Sequence, residues 1–441
     1  MRTFIIKTLG CKVNQYESEV ISAGLVASGW ERAAGSWGPA DLCIVNTCTV
    51  TGRGDMQSRQ MIRRLRRENP QSIVIATGCY ATTGAEELDA TNCVDRVVPH
   101  SDKHRVPAIA EGIMAHHPVA SGPLERTHGF FECRLTMPGT DASGSRTRPF
   151  LKIQDGCNAF CTYCIVPYAR GRSVSMPPDD VLAAVRALGD AGYHEVVLTG
   201  IHIGAYGLDL SPPTSLYALL CRILESGNIK RIRLSSIEPR ELTDDLIQLA
   251  ADHDGICDHF HIPLQSGADA ILKKMGRPYM SSFFADRVER IKALMPHAAI
   301  GADILAGFPG EDDRAFEETC DLIVSLPVTY LHVFPFSPRK GTPAWDYSDH
   351  VPPAVIKERT TRLRHLGNAG KTAFSAGEQG RILYVPVEGK RDQDSGRLKG
   401  VTANYLTVLF DGPDDLKGAF VPVKIGNPVK GLCVRAQVEK S

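Results

Sequence analysis

The sequence predicts an α/β protein of three parts: an N-terminal parallel-sheet domain, a central open (β/α)6 partial barrel and a small C-terminal antiparallel β-barrel. Strand-like runs alternate with helix-length stretches as far as residue 336, the order that builds parallel sheets with right-handed crossovers. The units between residues 150 and 336 are fewer than a closed barrel needs. Beyond about residue 374 the pattern turns to short β-runs separated by glycine turns. A length of 441 residues suits about three domains. The expected boundaries are 1–125, a linker at 126–145, 146–370 and 371–441.

In the first part, three apolar runs each end in cysteine: 4–11 at Gly10-Cys11, 42–48 at Thr47-Cys48 and 72–79 at Gly78-Cys79. Helical stretches at 17–28 and 56–68 separate them. The carboxyl ends of parallel strands gather on one edge, where open α/β sheets bind ligands. Cys11, Cys48 and Cys79 are therefore expected to converge although they are far apart in sequence. Three converging thiols suit a metal cluster with one open iron; buried small hydrophobes are the other reading. Cys43, inside an apolar run, reads as core.

The central part has strand-like runs at 150–154, 195–199, 232–236, 259–264, 299–306 and 330–336. Helices are expected at 178–191, 215–227, 243–252, 268–294 and 311–326. Barrels of this type place their chemistry at the carboxyl ends of the strands. The residues there include Gly200, Ser236 and Glu238, Gln265, and Asp303 with Gly307. Carboxylate and hydroxyl groups can accept hydrogen bonds from ribose, and glycine lets backbone approach a flat base. His202 and His261 suit a structural role equally well. The last part has β-runs at 380–386, 400–410, 419–425 and 431–438, with a mild excess of positive charge. Both RNA binding and simple packing fit it.

Cys157, Cys161 and Cys164 carry the sharpest signal. Their C-x-x-x-C-x-x-C spacing supplies three thiolates, enough to hold a 4Fe–4S cluster while leaving one iron without a protein ligand. Zinc would want a fourth Cys or His nearby, and the sequence just after Cys164 has none. The 13 cysteines of this long chain read as reduced thiols serving metal, which places the protein in the cytoplasm. Lys plus Arg and Asp plus Glu both number 50, so any nucleic-acid site has to be a local patch. The basic stretch around Arg63 and Arg64 is one candidate for phosphate contacts, a solvated helical face the alternative. The N-terminal apolar stretch is too short for a signal peptide, and no run is long enough to span a membrane.

These motifs together resemble the radical S-adenosylmethionine (SAM) methylthiotransferases over essentially the whole chain. Thr8-Leu9-Gly10-Cys11-Lys12-Val13-Asn14-Gln15, Asn46-Thr47-Cys48-Thr49 and Thr77-Gly78-Cys79-Tyr80 match the family's N-terminal cysteine motifs. Lys152-Ile153-Gln154-Asp155-Gly156-Cys157 through Cys164, followed by Ala169-Arg170-Gly171, matches its SAM-cluster motif. The Gly-Cys-Lys-Val-Asn-Gln wording is similar to the threonylcarbamoyladenosine branch; the isopentenyladenosine and ribosomal-protein branches are further away. The departure is at Arg170-Gly171-Arg172-Ser173, where a further Arg often follows.

The resemblance implies two 4Fe–4S clusters, one on each cysteine triad, and two equivalents of SAM. One SAM yields a deoxyadenosyl radical that takes the hydrogen from carbon 2 of N6-threonylcarbamoyladenosine; the other supplies methyl to sulfur held at the N-terminal cluster. It also implies a TRAM-type C-terminal barrel, a tRNA anticodon loop as partner, a flavodoxin- or ferredoxin-like electron donor and a sulfur source. Arg170 is expected to reach the polar threonylcarbamoyl group. An iron–sulfur carrier, or an RNA-binding protein with structural metal, would explain fewer of these features.

Overall fold

The computed structural model describes residues 1–35, 37–114 and 146–439; the linker expected at 126–145 lies outside them. Two compact units emerge. One takes the residues up to 114 together with Gln154–Met176 and Ser337–Trp345, and the other takes the remainder.

The first unit is built on a five-stranded parallel sheet in the order Glu31–Arg32, Thr3–Thr8, Leu42–Thr47, Ile73–Gly78, Arg96–Val98. Side chains alternate across a strand, so each strand feeds two cores. Phe4, Leu42, Ile44 and Ile75 pack with Ile21, Leu25 and Trp30 on one face. Ile5, Cys43, Val45, Val74 and Ala76 pack with Ile62 and Leu65 on the other. The helices are Lys12–Ala27 and Gly52–Glu68, each starting several residues before the apolar periodicity announces it. Their first two turns carry buried polar residues, Asn14 and Glu17 in one and Asp55 in the other. The short edge strands Glu31–Arg32 and Arg96–Val98 give too little pattern to be read from sequence.

The second unit contains the six expected barrel strands as two parallel three-stranded sheets. Phe150–Lys152, Glu195–Thr199 and Arg231–Leu234 form one, and His259–Gln265, Ala299–Ala306 and Tyr330–Pro335 the other. The Ile237 amide donates to His261 O (2.9 Å) where the two sheets meet. The stretch 268–294 is two helices, Asp269–Lys274 and Ser281–Leu294. Gly276 at φ 74° and the missing N–H of Pro278 interrupt it. A helix not foreseen, Pro353–Gly377, lies along the last strand. A Cβ on its Gly370 would sit 2.7 Å from Val328 O, so only glycine allows that approach.

The C-terminal sheet is curled, with five strands in the order Ile382–Pro386, Phe420–Lys430, Cys433–Val438, Thr407–Phe410, Leu398–Val401. All pairs are antiparallel except Thr407–Phe410 with Cys433–Val438, and a bridge between Val387 and Gly400 joins the two ends. The expected run 400–410 is a hairpin rather than one strand. Tyr405 takes φ 71° in its turn, and Thr402 Oγ1 accepts from the Leu406 amide (2.9 Å).

That turn closes the amino-terminal end of the barrel. Glu195, the first residue of its strand, takes N–H groups from Arg231 (2.7 Å) and Arg233 (2.7 Å). The same guanidiniums donate to Tyr384 O, Val401 O, Thr402 O and Ala403 O at 2.8–3.0 Å. Tyr405 stacks on His259 with ring centroids 4.2 Å apart. Burial alone would raise the Glu195 pKa, but the two arginines outweigh it and hold it down at about 2.

Candidate functional site

The three N-terminal cysteines follow three adjacent strands, and local backbone chemistry brings them together. Gly10 (φ 93°) and Gly78 (φ 99°) supply left-handed turns immediately before Cys11 and Cys79. A Cβ on Gly10 would lie 2.8 Å from the Sγ of Cys48, and one on Gly78 would lie 2.6 Å from Thr47 O. Asn14 Nδ2 ties two of the loops by donating to Leu9 O (2.7 Å) and Thr47 O (3.0 Å). Asn46 Nδ2 donates to Asn14 O (2.8 Å) and Ser18 Oγ (2.9 Å). Burial pushes the Cys48 thiol up to about 11, and the neighbouring sulfurs of Cys79 and Cys11 add to it. Burial likewise raises Cys79, against the pull of Arg170.

The second triad lies in the same unit, on a loop pinned at its base. Gln154–Asp155 pairs antiparallel with Val174–Ser175. Gly156 (φ 69°) allows a close crossing, since a Cβ there would sit 1.9 Å from Arg172 O. The Cys157 amide donates to Gly171 O (3.1 Å) and the Cys164 amide to Cys161 O (2.9 Å). Phe160 and Tyr168 form an exposed edge-to-face pair, with Arg172 over the Phe160 ring at 4.5 Å.

Arg170 was expected at the substrate. Its side chain is instead 1% exposed and turned inward. Its Nε donates to the Sγ of Cys79 (3.2 Å), Nη1 to Asp155 (2.8 Å) and Glu17 (3.1 Å), and Nη2 to Asn14 (2.5 Å) and Glu17 (3.4 Å). Burial opposes the charge, but Asp155, Cys79 and Glu17 outweigh it and hold the pKa well above the usual value. Lys103 pairs with Glu17 (2.5 Å), and His100 lies 3.3 Å from Asp155. Burial and then Arg170 bring His100 down to about 4, so its ring is neutral at pH 7.

Sequence reading missed most of these partners. Asn14 and Asp155 stood inside the cysteine motifs and Glu17 just beyond the first of them, but the chain distance between Glu17 and Arg170 hides the pairing. Arg339 gave even less warning: its Nη2 donates to Thr49 Oγ1 (2.7 Å) and Asp55 Oδ2 (2.5 Å), beside Cys48. Arg63 and Arg64 are both exposed on Gly52–Glu68. Arg64 is partly engaged, donating to Glu68 (2.8 Å) and covering the Trp37 ring at 3.5 Å.

The other candidates lie at the strand ends of the second unit. Gly200 follows Glu195–Thr199 directly. Ser236 Oγ lies 3.3 Å from His261 Nδ1, whose Nε2 lies 2.8 Å from Asp303; His332 also reaches Asp303, at 3.4 Å. Burial alone would raise the Asp303 pKa, yet bonds from both imidazoles hold it well below the carboxylate range. The three side chains are close enough to share a metal ion, and hydrogen bonds already satisfy them. Glu238 is ion-paired with Arg277, with burial raising its pKa and Arg277 opposing. Gln265 takes φ 70°. Gly307 is left-handed (φ 79°), and its amide donates to both Glu311 carboxylate oxygens at 3.1 Å.

A barrel of this topology, with three-cysteine motifs of this spacing, defines a radical SAM enzyme with an additional thiol-rich domain. Residues 151–323 match the Radical SAM superfamily and residues 3–99 match Uncharacterized protein family UPF0004. The chain is 40% identical to the Threonylcarbamoyladenosine tRNA methylthiotransferase MtaB of Bacillus subtilis (strain 168), covering 96% of this chain and 94% of that protein. It is 35% identical to the tRNA-2-methylthio-N(6)-dimethylallyladenosine synthase of Pelotomaculum thermopropionicum, covering 96% and 95%. The chain belongs to the radical SAM methylthiotransferase family, sulfur-group transferases that use SAM and 4Fe–4S clusters. The fold also matches the radical SAM methyltransferase TsrM from Kitasatospora setae, with a TM-score of 0.56 at 17% identity over 78% of this chain and 77% of that one.

Proposed function

We propose that this enzyme adds a methylthio group to carbon 2 of N6-threonylcarbamoyladenosine beside the anticodon of tRNA. Its identity of 40%, over nearly all of both chains, to a protein named for that substrate carries the reading. Cys157, Cys161 and Cys164 would hold the SAM-cleaving cluster, and Cys11, Cys48 and Cys79 the second. The donor sets fit: each site offers three soft thiols, and a guanidinium N–H already points at one sulfur. Iron binding would release the protons that burial keeps on Cys48 and Cys79. When bound, the clusters and SAM supply the radical and sulfur chemistry that protein side chains lack.

The chain's own part is to bind, orient and hold charge. Gly200, Ser236, Glu238, Gln265, Asp303 and Gly307 are assigned to SAM, with Asp303 held as an anion able to accept from hydroxyl groups. Arg63 and Arg64 are assigned to tRNA phosphates. Residues 1–125 would act as the cluster domain, 146–370 as the SAM domain and 371–441 as a TRAM-like RNA-binding module. The partners would be a flavodoxin- or ferredoxin-like electron donor and a sulfur source, in the cytoplasm. Among the described residues no helix is long and apolar enough to cross a membrane.

A site that pairs the carboxylate and hydroxyl of the threonylcarbamoyl group leaves its own donors unsatisfied against an apolar isopentenyl group. Direct competition between tRNAs carrying the two nucleosides, read by nucleoside mass spectrometry, should therefore yield the methylthiolated threonylcarbamoyl product. Preference for the isopentenyl tRNA, as the name of the 35% identical relative would suggest, overturns the substrate and leaves the enzyme class standing.

A further inference from the structure

We propose that Arg170 is a positioning residue for the N-terminal cluster: its guanidinium donates to the sulfur of Cys79 and biases that cluster toward its reduced state. The inference rests on Cys11, Cys48 and Cys79 being cluster ligands. All three nitrogens of the side chain are engaged, and one of the five contacts is to sulfur. The other four go to Asn14, Asp155 and Glu17, which fix the planar fork from three sides.

Arg170 also belongs to the SAM-cluster loop. It ends the short helix Val166–Arg170, and the next residue, Gly171, accepts the Cys157 amide (3.1 Å). Asp155, which it grips at 2.8 Å, lies two residues before Cys157. One side chain thus fastens the loop of one triad to a sulfur of the other.

The surrounding charge is balanced before the thiols ionise. Arg170 and Lys103 face Glu17 and Asp155, and the neighbouring His100 is neutral. A 4Fe–4S core on three thiolates is a net anion, more so when reduced. A buried guanidinium hydrogen-bonded to a ligand sulfur favours the reduced form, as hydrogen bonds to sulfur and net charge set cluster potentials.

The test uses full-length protein in which Cys157, Cys161 and Cys164 are replaced by Ala, so that only the N-terminal cluster remains after anaerobic reconstitution. EPR-monitored redox titration should show the Arg170→Gln variant with a midpoint lower by about 59 mV, a tenfold loss in the reduced-to-oxidised ratio. Arg170→Lys, which keeps the charge without the fork, should recover part of that shift. Pulsed EPR on protein carrying 15N-labelled arginine should reveal a nitrogen hyperfine coupling that Arg170→Lys abolishes, a signature that a packing role would not give. Should Arg170→Gln fail to fold, the coupling in Arg170→Lys decides. An unshifted midpoint with iron content intact, or no coupling in the parent, overturns the role of Arg170. Absence of any cluster in the parent overturns the ligand assignment itself, and the role of Arg170 with it.

Discussion

Two buried sites in this protein, one with a pair of arginines and one with a single arginine, both set guanidinium against carboxylate and do different things. At the amino-terminal end of the barrel, Arg231 and Arg233 spend their N–H groups on Glu195 and on backbone carbonyls of the C-terminal sheet. Every acceptor there is a group that folding itself provides, so the cluster holds the fold. At the cysteine edge, Arg170 meets two carboxylates and an amide, but also the Sγ of Cys79. A neutral thiol is a weak acceptor and a thiolate a strong one, so that contact gains its full strength when metal is bound. What a guanidinium faces, more than how deeply it is buried, separates the structural site from the chemical one.

The largest effects should come from the cysteines. Replacing Cys11, Cys48 and Cys79 together by Ala should abolish methylthiolation, remove about half of the iron and preserve reductive SAM cleavage, measured as deoxyadenosine under a strong reductant. Replacing Cys157, Cys161 and Cys164 should abolish both activities. Methylthiolated tRNA from the first variant would break the division between the triads.

On the structural side, Glu195→Gln should destabilise the protein by about 3–5 kcal/mol, since it leaves two buried guanidiniums short of a carboxylate. Calorimetry should show Tm lower by about 10 °C, with the cluster EPR spectrum unchanged. A Tm close to that of the parent would mean that the backbone carbonyls suffice. The same residue predicts an acid limb. Its folded pKa, about 2, lies below the ordinary 4.5, so its contribution is present above pH 4.5 and is lost as pH falls toward 2. Acid unfolding followed by circular dichroism should steepen through that window in the parent and less so in Glu195→Gln.

The smallest effect is expected on the exposed helix. Arg63→Ala should weaken tRNA binding by less than tenfold and reduce the salt dependence of log K by about one unit. Arg64→Ala should do less, because that side chain already leans on Trp37 and Glu68. Equal losses with unchanged salt slopes would mean that neither contacts phosphate.

Much of this was legible in the sequence, for identifiable reasons. Strand-terminal Cys11, Cys48 and Cys79 follow from parallel topology, and the six barrel strands are short apolar runs bounded by turns. The unread features are those where polar residues are buried by distant partners. Helix Lys12–Ala27 begins with polar Asn14, Glu17 and Ser18 buried beside Val13 and Tyr16, so the apolar pattern alone does not mark its start. Pro353–Gly377 carries Gly367, Gly370 and Gly377, poor helix formers by sequence, and the first two are there because Leu331 and Val328 approach them closely. Arg170 looked like a substrate contact because its sequence neighbours gave no sign of Cys79 or Glu17, and Ala268–Leu294 looked continuous because Gly276 and Pro278 sit in an otherwise helical stretch.

The turn at Tyr405 has a consequence for the order in which the protein can be made. The floor of the barrel is delivered by residues well downstream of its last strand: Tyr405 covers His259, and Thr402 and Ala403 receive Arg233. During synthesis the strands of the N-terminal sheet can pair as they emerge, while Arg170 and Arg339, which neutralise the buried Glu17 and Asp55 of that unit, arrive later. The barrel cannot seal until residue 405 has left the ribosome. A chain stalled before Ile382 would carry every cysteine assigned to metal and still lack the floor beneath its barrel.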